Sequence, residues 1–455
     1  TGDLAHRKIL PSLYAMERRH ALHVPIVGIA RQDMTLSDLL DRARDGIERF
    51  SDDDIDEEVF ARFAARFSYV VGEYGDIESF RQLRSELGSA QHPLHYLAVP
   101  PSIFGMVTAN IAAGGRADGA SVVVEKPFGR DLKSAKELNA ALHAVFPEER
   151  VYRIDHYLGK EALLNLTYFR FGNRFLEPIW NREHVRSVQI TMAEDFGVEG
   201  RGAFYDEAGA IRDVMQNHML QMIALLAMDP PASRDDESLR DAKVRVLRSM
   251  RSLDSDDVVR GRYRGFLQES GVHPDSRTET YAAARFHIDS WRWAGVPFLV
   301  RVGKNMPVTA TEVLVDLRRP PQGLFDDSAD CDRNYFRFQF KPFTTISIGA
   351  RAKKPGDAML GEQIEMIALH QEPDEISAYE RLIEDALSGQ AGLFARVDEV
   401  ESAWRIIDPV IKANTHLYDY QPSTWGPLEA RQLVVGHSAW HDPLSPVKMI
   451  PKEEA

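Results

Sequence analysis

The sequence predicts an α/β half followed by a larger α+β half, and three observations point to this. Continuous apolar runs separated by helical spacing fill the N-terminal part of the chain. Alternating segments with short polar breaks fill the C-terminal part. The turns with unusual chemistry fall where the early apolar runs end. Runs buried on both faces belong to a parallel sheet covered by helices, and the count of alternating segments implies one large antiparallel sheet flanked by helices. With 455 residues the chain has room for about two or three domains at ~100–200 residues each. Residues 1–152 are expected to form a cofactor-binding domain, and residues 153–455 an α+β domain for substrate binding and oligomerisation.

Composition narrows the function classes. A formal net charge of -14 argues against a nucleic-acid partner, because a polyanion needs a clustered basic surface. An anionic small ligand would have to be held locally. The single cysteine, Cys331, rules out an intrachain disulfide and favours a reducing cytoplasm. No apolar run approaches the ~20 residues of a membrane span, and no signal peptide is recognisable.

In chain order, Thr1 to Arg19 reads as a turn feeding a helix, with Gly2 and Asp3 at its start and Lys8 further in. His23 to Ala30 reads as a buried strand ending at Arg31. An acidic residue at that position binds ribose hydroxyls in NAD-preferring folds, whereas an arginine accommodates the 2′-phosphate of NADP. Helical spacing runs from Leu36 to Gln91, broken at Ser51-Asp52-Asp53-Asp54. Leu94 to Val99 is a strand running into Pro100-Pro101, and Ala120 to Val124 a strand running into Glu125-Lys126-Pro127-Phe128-Gly129. Ligands of parallel sheets bind beyond the carboxyl ends of the strands, where all these turns lie.

The richest stretch is Arg153-Ile154-Asp155-His156-Tyr157-Leu158-Gly159-Lys160-Glu161, a strand end and helix start holding carboxylates, an imidazole, a phenol and a lysine. A helix N-terminus beside a lysine and a histidine suits a phosphate dianion. Asp155 can orient and charge-stabilise a histidine acting as general base. Further on, Val185 to Glu194 alternates as a strand, and Glu194 at the end of its apolar face needs a partner, either a ligand hydroxyl or a salt bridge to a neighbouring strand. A glycine-rich loop, Phe196 to Gly202, introduces a long helix from Asp206 to about Met228 that carries Asp213 and His218. In an α-helix those two residues stand about 140° apart and do not form an i,i+4 pair. Thr280 to Ile288, Phe298 to Val302, Glu312 to Leu317, Tyr335 to Phe340, Thr344 to Gly349 and Glu362 to His370 read as strands. Glu375 to Leu387 and Asp398 to Ile411 read as helices, and Leu444 to Ala455 as a tail.

The Arg153–Glu161 stretch resembles the active-site signature of glucose-6-phosphate dehydrogenases. The resemblance extends to about Trp440 through Thr1-Gly2-Asp3-Leu4-Ala5, Ala30-Arg31, Glu125 to Gly129, Asp206 to His218, and Trp291-Arg292-Trp293-Ala294-Gly295-Val296-Pro297-Phe298. It implies a Rossmann-like first domain and a cytoplasmic homodimer or homotetramer. The implied reaction oxidises C1 of glucose 6-phosphate to 6-phosphogluconolactone while reducing NADP, the first oxidative step of the pentose phosphate pathway. By the same resemblance His218 is the base and Asp155 stabilises its imidazolium. His156, Tyr157 and Lys160 hold the 6-phosphate, and Glu194, Asp213 and Lys304 contact sugar hydroxyls. Lys126 lies between substrate and cofactor, with Pro127 a candidate cis proline. Thr1, Gly2, Asp3, Leu4, Lys8, Arg31 and Pro101 face the cofactor. In the family Thr1 to Ala5 is the second half of a glycine-rich turn, so the natural protein is expected to extend upstream.

Two positions depart from the family pattern. Thr309 stands where a second basic residue follows Gly303-Lys304, and Glu372 where a glutamine is usual. Losing a cation and gaining an anion predicts weaker sugar-phosphate binding than in a typical member. They also keep open a dehydrogenase for another sugar or sugar phosphate. A weakly active NADP-binding regulatory paralogue is a further alternative, and it would lack the base or its carboxylate; both are present.

Overall fold

The computed structural model describes residues 1–51, 54–115, 117–322, 334–356, 359–369, 376–413, 415–434 and 439–443. Cys331, Glu372, His370 and the 444–455 tail lie outside them. Two compact units emerge: 1–161 with 232–240 and 375–401, and 162–231 with 241–374 and 402–455.

The first unit is α/β. Strands β1 (Ile26–Ala30) and β2 (Phe67–Val71) pair in parallel, and β3 (Leu94–Leu97), β4 (Ser121–Glu125) and β5 (Val151–Ile154) form a second parallel sheet in that order. Helices separate them in sequence, as parallel neighbours require. β2 falls inside the stretch read as helical. Its five residues, Phe-Ser-Tyr-Val-Val, suit a strand by composition, yet the run is too short to stand out between helices Glu57–Ala64 and Ile77–Leu87. Asp56 caps the first of those helices, accepting from the N–H groups of Glu58 and Val59, which places the break just after the acidic run. The chain returns to this unit at helix Ala378–Ser388, whose Leu382 and Ala386 pack with Val123, Tyr152 and Ile154. Sequence reading gave no sign of that return.

The second unit is built on a nine-stranded sheet. Its strands are β6 (Val185–Ala193), β7 (Val258–Tyr263), β8 (Tyr281–His287), β9 (Pro297–Gly303), β10 (Ala310–Leu317), β11 (Tyr335–Lys341), β12 (Thr345–Lys353), β13 (Gly361–Leu369) and β14 (Leu417–Tyr420). They lie in the order β13-β12-β11-β10-β6-β9-β8-β7-β14. The sheet is mostly antiparallel, but β6 pairs with β9 and β7 with β14 in parallel. β7 escaped the sequence reading because its arginines break the apolar pattern; Arg260 is buried there because Glu279 neutralises it at 3.0 Å. β14 is four residues long.

The expected helix from Asp206 to Met228 is interrupted. Helix Gly202–Ala210 bends at Gly209 (φ 67°), a π-helical stretch follows at Ile211–Met219, and α-helix resumes over Leu220–Ala227. Gly209 lets the chain approach Glu279, whose carboxylate accepts from the Ile211 N–H at 3.1 Å. Among the described residues no helix is long and apolar enough to cross a membrane.

Candidate active site

In the first unit the turns at Arg31, Pro100–Pro101, Lys126–Pro127 and Asp155–Lys160 follow the carboxyl ends of parallel strands β1, β3, β4 and β5. β5 delivers Asp155, which is 1% exposed, and its Oδ1 accepts from the Tyr157 N–H at 3.0 Å. The Leu158 N–H donates to the Asp155 carbonyl at 2.9 Å and the Lys160 N–H to the Tyr157 carbonyl at 3.1 Å. The turn is thus wound on its own backbone before helix Glu161–Gly172 begins. Lys160 Nζ lies 3.4 Å from the centroid of the Tyr157 ring. One short turn therefore presents an imidazole, a phenol and an ammonium beside a buried carboxylate.

Helix Ala378–Ser388 braces this turn. Arg381 donates to the Gly159 carbonyl at 2.7 Å and to Glu161 at 2.6 Å. A Cβ at Gly159 would come within 2.8 Å of the Ala378 carbonyl, so the close approach needs glycine. The Tyr379 ring stacks on His156, centroids 6.0 Å apart and planes 13° from parallel. Neither Tyr379 nor Arg381 was singled out from sequence, where they read as ordinary positions of a distant helix.

Glu125, the last residue of β4, was also given no task. It is 8% exposed and accepts from the Tyr96 hydroxyl at 2.5 Å. Burial pushes its carboxyl up to about 7, with hydrogen bonds from Tyr96 and Tyr379 and the charge of Lys126 pulling down, and Asp155 pushing up. The peptide bond that follows, Lys126–Pro127, is cis, as the turn's resemblance suggested.

The positions expected to face the cofactor belong to the same unit. Helix starts at Asp3 directly after Gly2, around whose Cα there is open space: nothing lies within 4 Å of a Cβ built there. Lys8 is exposed, and Arg31 follows β1 with its guanidinium 5.9 Å from the Tyr74 ring centroid. Pro101 opens a short 3-10 turn after β3. A glycine at a helix start suits a pyrophosphate, and an arginine at the end of β1 suits the 2′-phosphate of NADP.

In the second unit the parallel register Ala193↔Gly303 brings two strand ends side by side. The next residues, Glu194 and Lys304, pair at 2.6 Å, which answers the carboxylate's need for a partner. Lys304 Nζ also faces the rings of Phe196 and Tyr205 at 5.0 and 5.1 Å. Tyr205 is buried, and burial together with the Asp213 and Glu194 carboxylates pushes its hydroxyl well above the usual phenol range. Glu194, Asp213 and Lys304 therefore share one neighbourhood around Tyr205. His218 is 2% exposed. The π-helical stretch changes the expected geometry of this pair: with i→i+5 bonding residue i+5 returns toward the side of residue i, so Asp213 and His218 lie closer in angle than in an α-helix. Thr309 is tied to Asp195, accepting from its N–H at 3.1 Å and donating to its carboxylate.

Residues 1–165 match the family model "Glucose-6-phosphate dehydrogenase, NAD binding domain" and residues 167–441 its C-terminal domain model. Glucose-6-phosphate 1-dehydrogenase 1 of Mycobacterium bovis is 42% identical over 449 residues, covering 98% of this chain and 95% of the relative. The enzyme of Aggregatibacter actinomycetemcomitans is 36% identical over 467 residues, covering 95% and 94%. The crystal structure of the Mycobacterium avium glucose-6-phosphate 1-dehydrogenase superposes with a TM-score of 0.91 at 41% identity, covering 98% of this chain and 97% of that one. A glucose-6-phosphate dehydrogenase solved with glucose 6-phosphate bound superposes at 0.90 and 34% identity, covering 97% and 96%.

Proposed function

This chain belongs to the glucose-6-phosphate dehydrogenase family, and on that premise we propose that it oxidises the C1 hydroxyl of glucose 6-phosphate to 6-phosphogluconolactone with NADP as hydride acceptor. The observation that carries the reading is the turn after β5, where a buried carboxylate, an imidazole, a phenol and an ammonium stand together at the carboxyl end of a parallel sheet.

His156, Tyr157 and Lys160 grip the 6-phosphate with charge-assisted hydrogen bonds. Glu194 and Asp213 accept from sugar hydroxyls, and Lys304, held by Glu194, donates to one. His218 takes the C1 hydroxyl proton as the C1 hydride departs, and Asp155 stabilises the imidazolium that results. A positioned base is worth ~10²–10⁴ in rate. Bound NADP supplies the hydride acceptor. Lys8, Arg31, Lys126, Pro101 and the Thr1–Leu4 helix start hold it, and Arg31 meets its 2′-phosphate. The reading also takes residues 1–152 as the cofactor domain, the remainder as the substrate and oligomerisation domain, and the enzyme as a cytoplasmic homodimer or homotetramer. One cysteine in 455 residues supports the reducing compartment.

The test is reduced-nicotinamide formation from glucose 6-phosphate with NADP or NAD, beside His218→Asn. Turnover that falls ~10²–10⁴-fold in the variant, with NADP binding retained, is the expected result. A folded, NADP-binding protein without turnover would overturn the activity and favour another sugar phosphate, the reading that Thr309 leaves open.

A further inference from the structure

Glu125 is a buried carboxylate that the reaction itself does not use. It ends β4 in register with Ile154 of β5, so it stands one residue from the substrate turn on one strand and directly before the Lys126–Pro127 turn on its own. Two phenols reach it: Tyr96 from β3, at 2.5 Å, and Tyr379 from the first turn of helix Ala378–Ser388. The same Tyr379 ring stacks near-parallel to the His156 imidazole, offset with centroids 6.0 Å apart.

We propose that Glu125 is a positioning residue of the phosphate grip: by accepting from Tyr96 and Tyr379 it locks the Tyr379 ring, and that ring fixes the plane in which His156 meets the 6-phosphate. The proposal rests on the glucose 6-phosphate reading above.

The physical basis is directional. A carboxylate offers two oxygens and can satisfy both phenols at once, whereas its protonated form gives up part of that accepting capacity. A locked Tyr379 restricts His156 to one orientation, so the ordering cost of gripping the phosphate is met before substrate arrives. The titratable and charged groups facing Glu125 are Tyr96 on β3, Lys126 next in the chain, Asp155 beyond β5 and Tyr379 on the helix. Burial raises its carboxyl to about 7 against the downward pull of Tyr96, Lys126 and Tyr379, with Asp155 adding to the rise, so the grip tightens as pH rises through that value.

The experiment is the pH dependence of KM and kcat for glucose 6-phosphate in the full chain, for wild type, Glu125→Gln and Tyr379→Phe. In wild type KM falls as pH rises through about 7. Glu125→Gln keeps the shape but offers one acceptor oxygen, so KM rises about three- to tenfold, the scale of one ordinary hydrogen bond lost, while kcat changes less. Its KM profile also loses the step assigned to Glu125. The substrate phosphate (second ionisation near ~6) titrates with both proteins, so the difference between the two profiles isolates Glu125. Tyr379→Phe keeps the stacked ring but removes one donor from the carboxylate, so the step moves to higher pH. A Glu125→Gln protein with unchanged KM, or with raised KM and an unchanged step, overturns the proposal; if that variant fails to fold, an unmoved step in Tyr379→Phe does so. Wild type without turnover overturns the activity itself and this proposal with it.

Discussion

Replacing Gly209 by alanine should weaken both stability and catalysis, because the bend at this residue anchors the π-helical stretch that carries Asp213 and His218. Gly209 adopts φ 67°, ψ 173°, a region open essentially to glycine alone and costing other residues about 1–3 kcal/mol. The added Cβ would also lie 2.5 Å from Glu279 Oε1 and 2.9 Å from Thr278 Cγ2. The Glu279 side chain can swing away, but its carboxylate accepts from the Ile211 N–H at 3.1 Å and neutralises buried Arg260 at 3.0 Å. Losing a helix-terminal cap of this kind costs about 1–2 kcal/mol, and a loosened buried pair adds to it. The sum is about 2–5 kcal/mol, a large part of the ~5–15 kcal/mol that holds a typical domain together. The thermal midpoint should drop by roughly 5–15 °C. Misplacing His218, the proposed base, by about an ångström should lower kcat by up to ~10²-fold. Thermal denaturation and steady-state kinetics on the same preparation would check both. A variant with wild-type midpoint and wild-type kcat would refute the anchoring role of the Gly209 bend.

Two other perturbations test separate parts of the structure. Thr309→Lys restores a cation that the family pattern leads one to expect, yet Asp195 stands against residue 309 and will pair with the new ammonium; KM for glucose 6-phosphate should fall by only about 1.5- to 5-fold, the worth of an exposed charge, and an unchanged KM would place residue 309 outside the site. Asp385 is half-buried, and burial lifts its carboxyl to about 6, reinforced by Glu384 and Asp236 and opposed by Arg381. A raised carboxyl binds its proton more tightly folded than unfolded, so its penalty is absent below about 4, grows between there and about 6, and is complete above. Asp385→Asn should therefore stabilise the chain by about 1 kcal/mol above that range, after allowance for solvent screening, and leave it unchanged in acid. Urea denaturation at the two extremes would show this, and equal stabilisation at both would refute the assignment.

Much of the site was legible because its residues are contiguous or end strands. Asp155, His156, Tyr157 and Lys160 belong to one turn, and Lys126 follows a run of valines that cannot be anything but buried. The pairing of Glu194 with Lys304 was legible only as a need: the period of two put a carboxylate at the end of an apolar face, but the partner sits more than a hundred residues away, and the parallel register of β6 and β9 is what joins them. The spacing of Asp213 and His218 misled for a different reason. Residue counting assumes α-helical periodicity, whereas the chain is π-helical over Ile211–Met219, directly after the bend at Gly209 and its Glu279 contact.

The sequence by itself determined the class of each half, the strand ends where chemistry concentrates and the family, because apolar periodicity and contiguous motifs are local properties of the chain. Tertiary structure decided what depends on pairing across long sequence separations. It returned helix Ala378–Ser388 to the first unit, stacked Tyr379 with His156 and bound Arg381 to the Gly159 carbonyl in the turn after β5. It also left Glu125 buried between two phenols. Such contacts are fixed by which faces need burying and which polar groups need partners, and no window of neighbouring residues contains that information.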